Sequence, residues 1–311
     1  MSTVKQGQQI RQIIYGTIQH FITGFIVERR SRGLVEGTIE YYFSELEGFA
    51  NFLDLLGVVQ LEEITPDLIR QYLLQLSKTR NEGGVHASFR AIRAFFNWYE
   101  NEFEPDNWKN PIRKVKPKSP SKEPLPGVSL GEFNLLIDAC YGQWELRDRV
   151  SLMFLLDTGC RAAEFCSLNL GDVDLVTGSI IIKHGKGDKR RVVFIGRVVL
   201  RELRRYLKTR GNLKAEAPLF VNDENERVKY GGLLARIRRI SKKAGIAAPG
   251  LHDFRRAFAI NMLRNGVDVI TLSRLMGHSS LEVTKRYLHQ IEEDLRQAHV
   301  KGSPVDNQIK G

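Results

Sequence analysis

Apolar residues recur at spacings of three and four through most of this chain, and the pattern predicts a protein built mainly from helices. From about residue 8 to 104 almost every segment reads as helix. Ile14, Ile18, Phe21 and Phe25 mark the first, which ends in the basic run Glu28-Arg29-Arg30-Ser31-Arg32-Gly33. Ile39, Phe43, Leu46, Ala50 and Leu53 predict one apolar face on the second. Thr65-Pro66 reads as an N-cap followed by proline at the first helical position, opening a third helix with Ile69, Leu73 and Leu76 inside. Val85, Phe89, Ile92, Phe96 and Tyr99 line a fourth. Such an aromatic stripe is ordinarily core and not a base-stacking platform. Arg80, Arg90 and Arg93 stand off the stripe as candidates for phosphate contact, although a solvated face presents arginines in the same way.

The pattern changes over NPIRKVKPKSPSKEPLPG, Asn110 to Gly127, where proline breaks helices and lysine and arginine fill the gaps. This predicts an extended basic strap between two domains, with Lys116 as a candidate DNA contact. The expected division is a helical domain over 1–117, a linker over 118–127 and a second domain over 128–311.

In the second domain, Ser129 to Glu132 has the form of a capping box and predicts a helix through Cys140. Arg147 to Leu156 continues helical and stops at Thr158-Gly159, followed by Cys160-Arg161-Ala162-Ala163-Glu164, with Arg161 and Glu164 on one helical face. Asp172 to Leu175, Ser179 to Lys183 and Arg190 to Ile195 predict a three-strand antiparallel meander. Its tip sets Lys186 between Gly185 and Gly187, where the backbone can turn tightly against a ligand. Helices are expected over Val198–Thr209 and Gly231–Ala244. The second carries Arg236, Arg238, Arg239, Lys242 and Lys243 opposite Leu233, Ile237 and Ile240, a basic face suited to a phosphate backbone or a major groove. His252 and Arg255 share a face of the next helix, which stops at Asn265-Gly266. Asp268 caps a short helix ending at Met276-Gly277, and His278 sits in the joint that follows. Ser279 to Glu282 then predicts a last helix running to about Val300, with Tyr287 two turns in and a mobile polar tail, GSPVDNQIKG, after it.

Composition narrows the partners. The 311 residues are 42% hydrophobic, enough for true cores, and carry a net charge of +11. The isoelectric point near 9.6 favours an anionic partner, of which nucleic acid is the commonest. Three cysteines, Cys140, Cys160 and Cys166, form no CxxC pair and no metal spacing, and fit buried thiols in a reducing compartment. MSTVKQGQQI lacks the apolar run of a signal peptide, and no stretch reaches the roughly 18 apolar residues of a membrane span. The chain reads as soluble and cytoplasmic.

Two arginines, a hairpin lysine, two histidines and a tyrosine form a phosphate-directed set. Arginine stays charged and offers a planar fork of donors to phosphate oxygens. A histidine moves protons near neutral pH. A tyrosine, with a pKa of about 10, becomes a nucleophile only where cations stabilise the charge and a partner takes the proton. No Asp/Glu cluster resembles a Mg²⁺ site, so metal-free chemistry with no cofactor is expected. Each piece alone has an ordinary reading: a helix salt bridge, a turn, a cap, a core tyrosine. The signal is their joint order within one half of a basic chain.

That joint pattern resembles the tyrosine recombinase (phage integrase) family, most strongly in TGCRAAEFCSL, HGKGDKRRVV, LHDFRRAFA and GHSSLEVTKRY. The resemblance spans essentially the whole chain. It implies a helical, SAM-like core-binding domain and a mostly helical catalytic domain with a small antiparallel sheet, closing on DNA as a C-shaped clamp. By the same resemblance Arg161 and Arg255 are the clamp arginines and Lys186 the general acid toward the 5′-hydroxyl. His252 assists proton transfer, His278 hydrogen-bonds the scissile phosphate, Glu164 orients the first arginine, and Tyr287 is the nucleophile. Arg256 stands where many members have histidine, a tolerated variation. The expected activity is site-specific recombination through a 3′-phosphotyrosine, on double-stranded DNA with inverted-repeat half-sites, by a nucleoid-associated homotetramer on two sites or with a second recombinase. The chain starts almost directly with the core-binding helices, which tilts the expectation toward a Xer-like or transposon-type enzyme. A type IB topoisomerase-like enzyme and a catalytically silent regulator of the same fold are the alternatives.

Overall fold

The computed structural model describes residues 17–119, 126–183, 190–278, 280–285, 287–288, 296 and 299–308. The chain divides into two compact units, 1–122 and 123–311. Among the described residues, the first contains four α-helices: α1 (Ile18–Ser31), α2 (Glu36–Asp54), α3 (Pro66–Ser77) and α4 (Glu82–Phe103). Side chains start three of them, satisfying amides that have no partner inside the helix. Thr17 Oγ1 accepts from His20 N, Thr65 Oγ1 from Leu68 N with Pro66 at the first position, and Asn81 Oδ1 from Gly84 N. Phe25, Leu46, Phe49, Ile69, Phe95 and Phe96 make a common core. The aromatic stripe of α4 is therefore packing surface: Phe95 and Trp98 both lie against Phe25.

Two expectations are corrected in this unit. The buried face of α2 runs through Ile39, Leu46, Phe49 and Leu53, while Phe43 is 43% exposed. The aromatic cluster to be filled lies on the Phe49 side, and both assignments keep helical spacing. The basic stretch is also not extended from its start. Pro111–Lys114 forms a short 3₁₀ turn, and Ile112 and Val115 are buried in the first unit's core. Residues 120–125 lie outside the described residues.

The second unit contains α5 (Leu130–Asp138), α6 (Glu145–Thr158), α7 (Ala162–Ser167), β1 (Ser179–Ile182), β2 (Arg191–Phe194), α8 (Arg197–Thr209), α9 (Tyr230–Ala244), α10 (Leu251–Arg264), α11 (Val269–Met276), α12 (Leu281–Lys285) and α13 (Pro304–Gln308). The Ser129–Glu132 capping box forms reciprocally, with Glu132 N donating to Ser129 Oγ and Ser129 N to Glu132 Oε2. The expected meander is a two-stranded antiparallel ribbon, β1 with β2, in register Ser179↔Phe194 to Ile182↔Arg191. The first predicted strand contributes only an isolated bridge, Val173↔Ile180, because its chain turns at once through Asp174, whose carboxylate binds Val176 N and Thr177. One core joins Phe154, Phe165, Leu203, Phe220 and Phe254. A second cluster gathers Phe258, Leu263, Leu272, Met276 and Tyr287.

The C-terminal end also differs from the pattern. α12 stops at Lys285, and Tyr287 stands in a turn after it, with its amide donating to Thr284 O. The helix starts on Ser280, whose Oγ accepts from Glu282 N; Ser279 is outside the described residues. The tail expected to be mobile holds α13, a single short turn of helix. Among the described residues, no helix is long and apolar enough to cross a membrane.

Candidate active site

The site is assembled where three chain joints meet: α6 to α7, the start of β2, and α11 to α12. Gly159 ends α6 in the left-handed region (φ 57°). A Cβ there would lie 2.3 Å from the Phe258 ring, so the turn and the approach of α10 both require glycine. Its carbonyl receives Arg255 Nη1 at 2.6 Å, and Met276 O receives Arg255 Nη2 at 2.6 Å. Arg255 is 2% exposed. Burial and then the like charge of Arg161 lower its pKa to about 10, which leaves it a cation at neutral pH.

Arg161 is the N-cap of α7. Its backbone amide donates to Glu164 Oε2 at 2.7 Å, its Nη1 to Glu164 Oε1 at 2.9 Å and its Nη2 to Gly277 O at 3.2 Å. Glu164 is 3% exposed. Burial acts to raise its carboxyl, but hydrogen bonds from Arg191 and Arg161 outweigh it and hold it below the usual carboxylate range. Three guanidinium groups, Arg161, Arg191 and Arg255, thus surround one carboxylate. The excess positive charge in a partly desolvated setting suits an anion. Each terminal nitrogen that holds a carbonyl keeps a second hydrogen, so the same arginines still have donors for phosphate oxygens.

His278 follows Gly277, whose φ of 63° closes α11. Its Nδ1 lies 2.7 Å from the hydroxyl of buried Thr284, which leaves Nε2 as the ring atom for a ligand. Burial first, then the charges of Arg255, Arg161 and Arg191, lower its pKa to about 4, so the ring is neutral at pH 7. His252, on the exposed edge of α10, is also lowered, by desolvation and then by Arg255 and Arg256. A neutral imidazole there is able to accept a proton. Tyr287 is 8% exposed among Phe258, Leu272 and Met276, near enough to Arg255 to enter its electrostatics. The structure thus brings together Arg161, Glu164, Arg255, His252, His278 and Tyr287. Lys186 lies outside the described residues, which omit 184–189.

Arg191 escaped the sequence reading. It was one more basic residue in Lys189-Arg190-Arg191, and only the register of β2 shows which of these turns inward. The DNA-contact candidates divide. In the first unit, Arg80 is bound to Glu45, Arg90 lies beside Tyr41, Arg93 stacks over Phe89, and Lys116 is exposed on a groove of about 710 Å³ that Arg80 also lines. In the second, Arg239 is exposed while pairing with Asp148 Oδ2 at 3.1 Å, and Lys242 is exposed. Arg236 is a correction. It is 7% exposed, with Nη2 on Val221 O at 2.9 Å and Nε 3.4 Å from Asp148, because its position on α9 falls on the inward side next to Leu233 and Ile237. Its charge serves the interior of the fold. The cysteines are free; Cys140 and Cys160 are buried thiols pushed up to about 12 by burial. Among the described residues, no three His, Cys, Asp or Glu side chains group as a metal site would.

Comparison with known proteins identifies the family and the fold. The model of the phage integrase family matches residues 130–294. Tyrosine recombinase XerC of Thermodesulfovibrio yellowstonii is 29% identical over 304 residues, 93% of this chain and 98% of the relative. Tyrosine recombinase XerC 2 of Ralstonia nicotianae is 33% identical over 267 residues, 80% of this chain and 75% of the relative. The crystal structure of XerA recombinase is 26% identical, with a TM-score of 0.51 over 92% of this chain and 99% of that one. A lambda integrase dimer bound to a COC' core site shares the fold at 17% identity, with a TM-score of 0.71 over 87% of this chain and 77% of that one. By the span of the family match and by these relatives, the chain belongs to the phage integrase family, as a Xer-like tyrosine recombinase.

Proposed function

We propose that the cluster of Arg161, Arg255, His252, His278 and Tyr287 cuts and rejoins DNA through a 3′-phosphotyrosine. The observation that carries the reading is the pair of arginines anchored on the Gly159, Met276 and Gly277 carbonyls, around the joint that bears His278 and beside buried Tyr287. Tyr287 Oη attacks the scissile phosphorus and the bond to the 5′-oxygen breaks. Arg161 and Arg255 stabilise charge on the non-bridging oxygens, and such donors contribute ~2.7–4 kcal/mol each. His252 takes the tyrosine proton, and His278 Nε2 donates to a phosphate oxygen. Lys186 supplies the proton to the departing 5′-oxygen. Attack by a 5′-hydroxyl reverses the step, so the bond energy is conserved and no cofactor is called for.

The domains follow the same reading. Residues 1–117 bind the core site, 118–127 link, and 128–311 carry catalysis. Arg80, Arg90, Arg93, Lys116, Arg239 and Lys242 position the phosphate backbone. The DNA site is a pair of inverted half-sites. This agrees with XerH, which shares the fold and has been crystallised on a palindromic difH substrate, and with the lambda integrase dimer on its core site. Four protomers of this chain, or of it and a related recombinase, act on two such sites in the cytoplasm, at the nucleoid. The test is product analysis on a supercoiled plasmid carrying two copies of the DNA that flanks the gene. Recombinant circles and four-way junctions are expected. Relaxed circles alone would instead place the activity with type IB topoisomerases.

A further inference from the structure

Arg191 is given no step in the chemistry above, yet all three nitrogens of its guanidinium are engaged inside the site. Nη1 and Nη2 donate to Glu164 Oε1 and Oε2 at 2.8 and 2.6 Å, a fork-to-fork pair. Nε donates to Leu275 O at 3.1 Å, in the last turn of α11. Its side chain is only 10% exposed, against 30% for Arg161. Both Glu164 oxygens are shared with Arg161, Oε1 with its Nη1 and Oε2 with its backbone amide. The joint after α11 is shaped around the same side chain. A Cβ on Gly277 would lie 2.8 Å from Arg191 Cδ and 3.0 Å from its Nε.

We propose that Arg191 is a positioning residue of the recombinase site. It fixes Glu164 against Arg161 and ties both to the α11–α12 joint that presents His278, so one side chain sets the spacing of the phosphate-facing groups. The inference rests on the reading of Arg161 and Arg255 as phosphate clamps. Arginine is required because three coplanar donors reach two elements at once, where a lysine ammonium is a single point charge. The groups that face Glu164 are Arg161 and Cys160 from the start of α7, Arg191 from β2 and Arg255 from α10. Without Arg191, the carboxylate keeps Arg161 as its one directly paired cation among the described residues, in a buried setting. Burial then gains on pairing, and Glu164 takes up a proton at higher pH than in the native site.

The test uses the full chain as Arg191→Lys, Arg191→Gln and the double variant Arg191→Gln with Glu164→Gln, which removes both charges of the pair together. Two readouts are needed. The first is hydrogen exchange at Gly277 and His278 in DNA-free protein, where these amides donate to Arg274 O and Ser273 O. Exchange should quicken in Arg191→Gln and return toward wild type in Arg191→Lys. Unchanged exchange overturns the proposal whatever the activity. The second is the rate of Tyr287 adduct formation on nicked duplexes taken from the DNA flanking the gene. Arg191→Gln should bind these duplexes within about twofold of wild type and react on the order of 100-fold more slowly, as small misplacements near a reacting centre do. Arg191→Lys should fall between. The Arg191→Gln rate should fall further as pH is lowered, and this limb should vanish in the double variant. A loss equal at every pH, with binding lost in step, marks a merely structural residue and overturns the positioning role. If wild type forms no adduct while the exchange pattern holds, the tie stands and the phosphate-clamp reading is what fails.

Discussion

His278 shows how the site's charges act on one residue. Its own burial and then three arginines make the protonated ring unfavourable, and its value near 4 stands well below the ordinary 6.5. As pH falls, the unfolded chain takes up this proton before the folded one does. The neutral ring's contribution to stability is therefore complete above about 6.5 and is lost progressively toward about 4. His278→Gln, which keeps a polar side chain without titrating, should flatten the pH dependence of unfolding free energy across that window. Urea melts at steps of half a pH unit would show it. A slope identical to wild type would mean that the ring is not held neutral. A neutral ring donates through one nitrogen only, so the proposed hydrogen bond from Nε2 to phosphate requires Nδ1 to accept from the Thr284 hydroxyl.

At the scale of elements, the short helix α7 decides how well the arginines are held. Its six residues, Ala162–Ser167, are far fewer than an isolated helix needs. Phe165 holds it, with its ring stacked on Phe220 at 4.3 Å and edge-on to Phe154 at 5.7 Å. Phe165→Ala should cost ~3–5 kcal/mol of stability by denaturant unfolding and should release Arg161 and Glu164 with the helix. A loss below about 1 kcal/mol would show that α7 is held by its polar contacts instead. Elements of this kind were legible where a cap or a period was unambiguous. Thr65-Pro66, Ser129–Glu132, Asp268 and Gly277 each marked a helix end that the structure shows. The misses have physical causes. Phe43 and Phe49 both fit a helical period, and only the shape of the core chooses between them. Residues 172–175 have strand-like composition, but Asp174 turns the chain back on itself first. Arg236 and Arg191 look like surface charges in the sequence, and both are turned inward by the register of the element that carries them.

Across the whole molecule, the division into two units falls at 122/123, within the proline- and lysine-rich stretch where the pattern of periodic apolar residues lapses. How much of that stretch packs onto the first unit is beyond composition, since Ile112 and Val115 are too few to show a period. The members of the site were legible as separate motifs spread from Arg161 to Tyr287. Their closure into one cluster depends on long-range contacts, such as Arg161 to the Gly277 carbonyl, that no local pattern encodes. The proposed chemistry depends first on the tyrosine. Wild type and Tyr287→Phe would be incubated in EDTA with nicked suicide duplexes from the DNA flanking the gene, and the products probed for a protease-sensitive protein–DNA adduct. The prediction is an adduct with wild type and none with Tyr287→Phe, with DNA binding equal in both. Equal trapping by the two proteins would contradict it and place the nucleophile elsewhere.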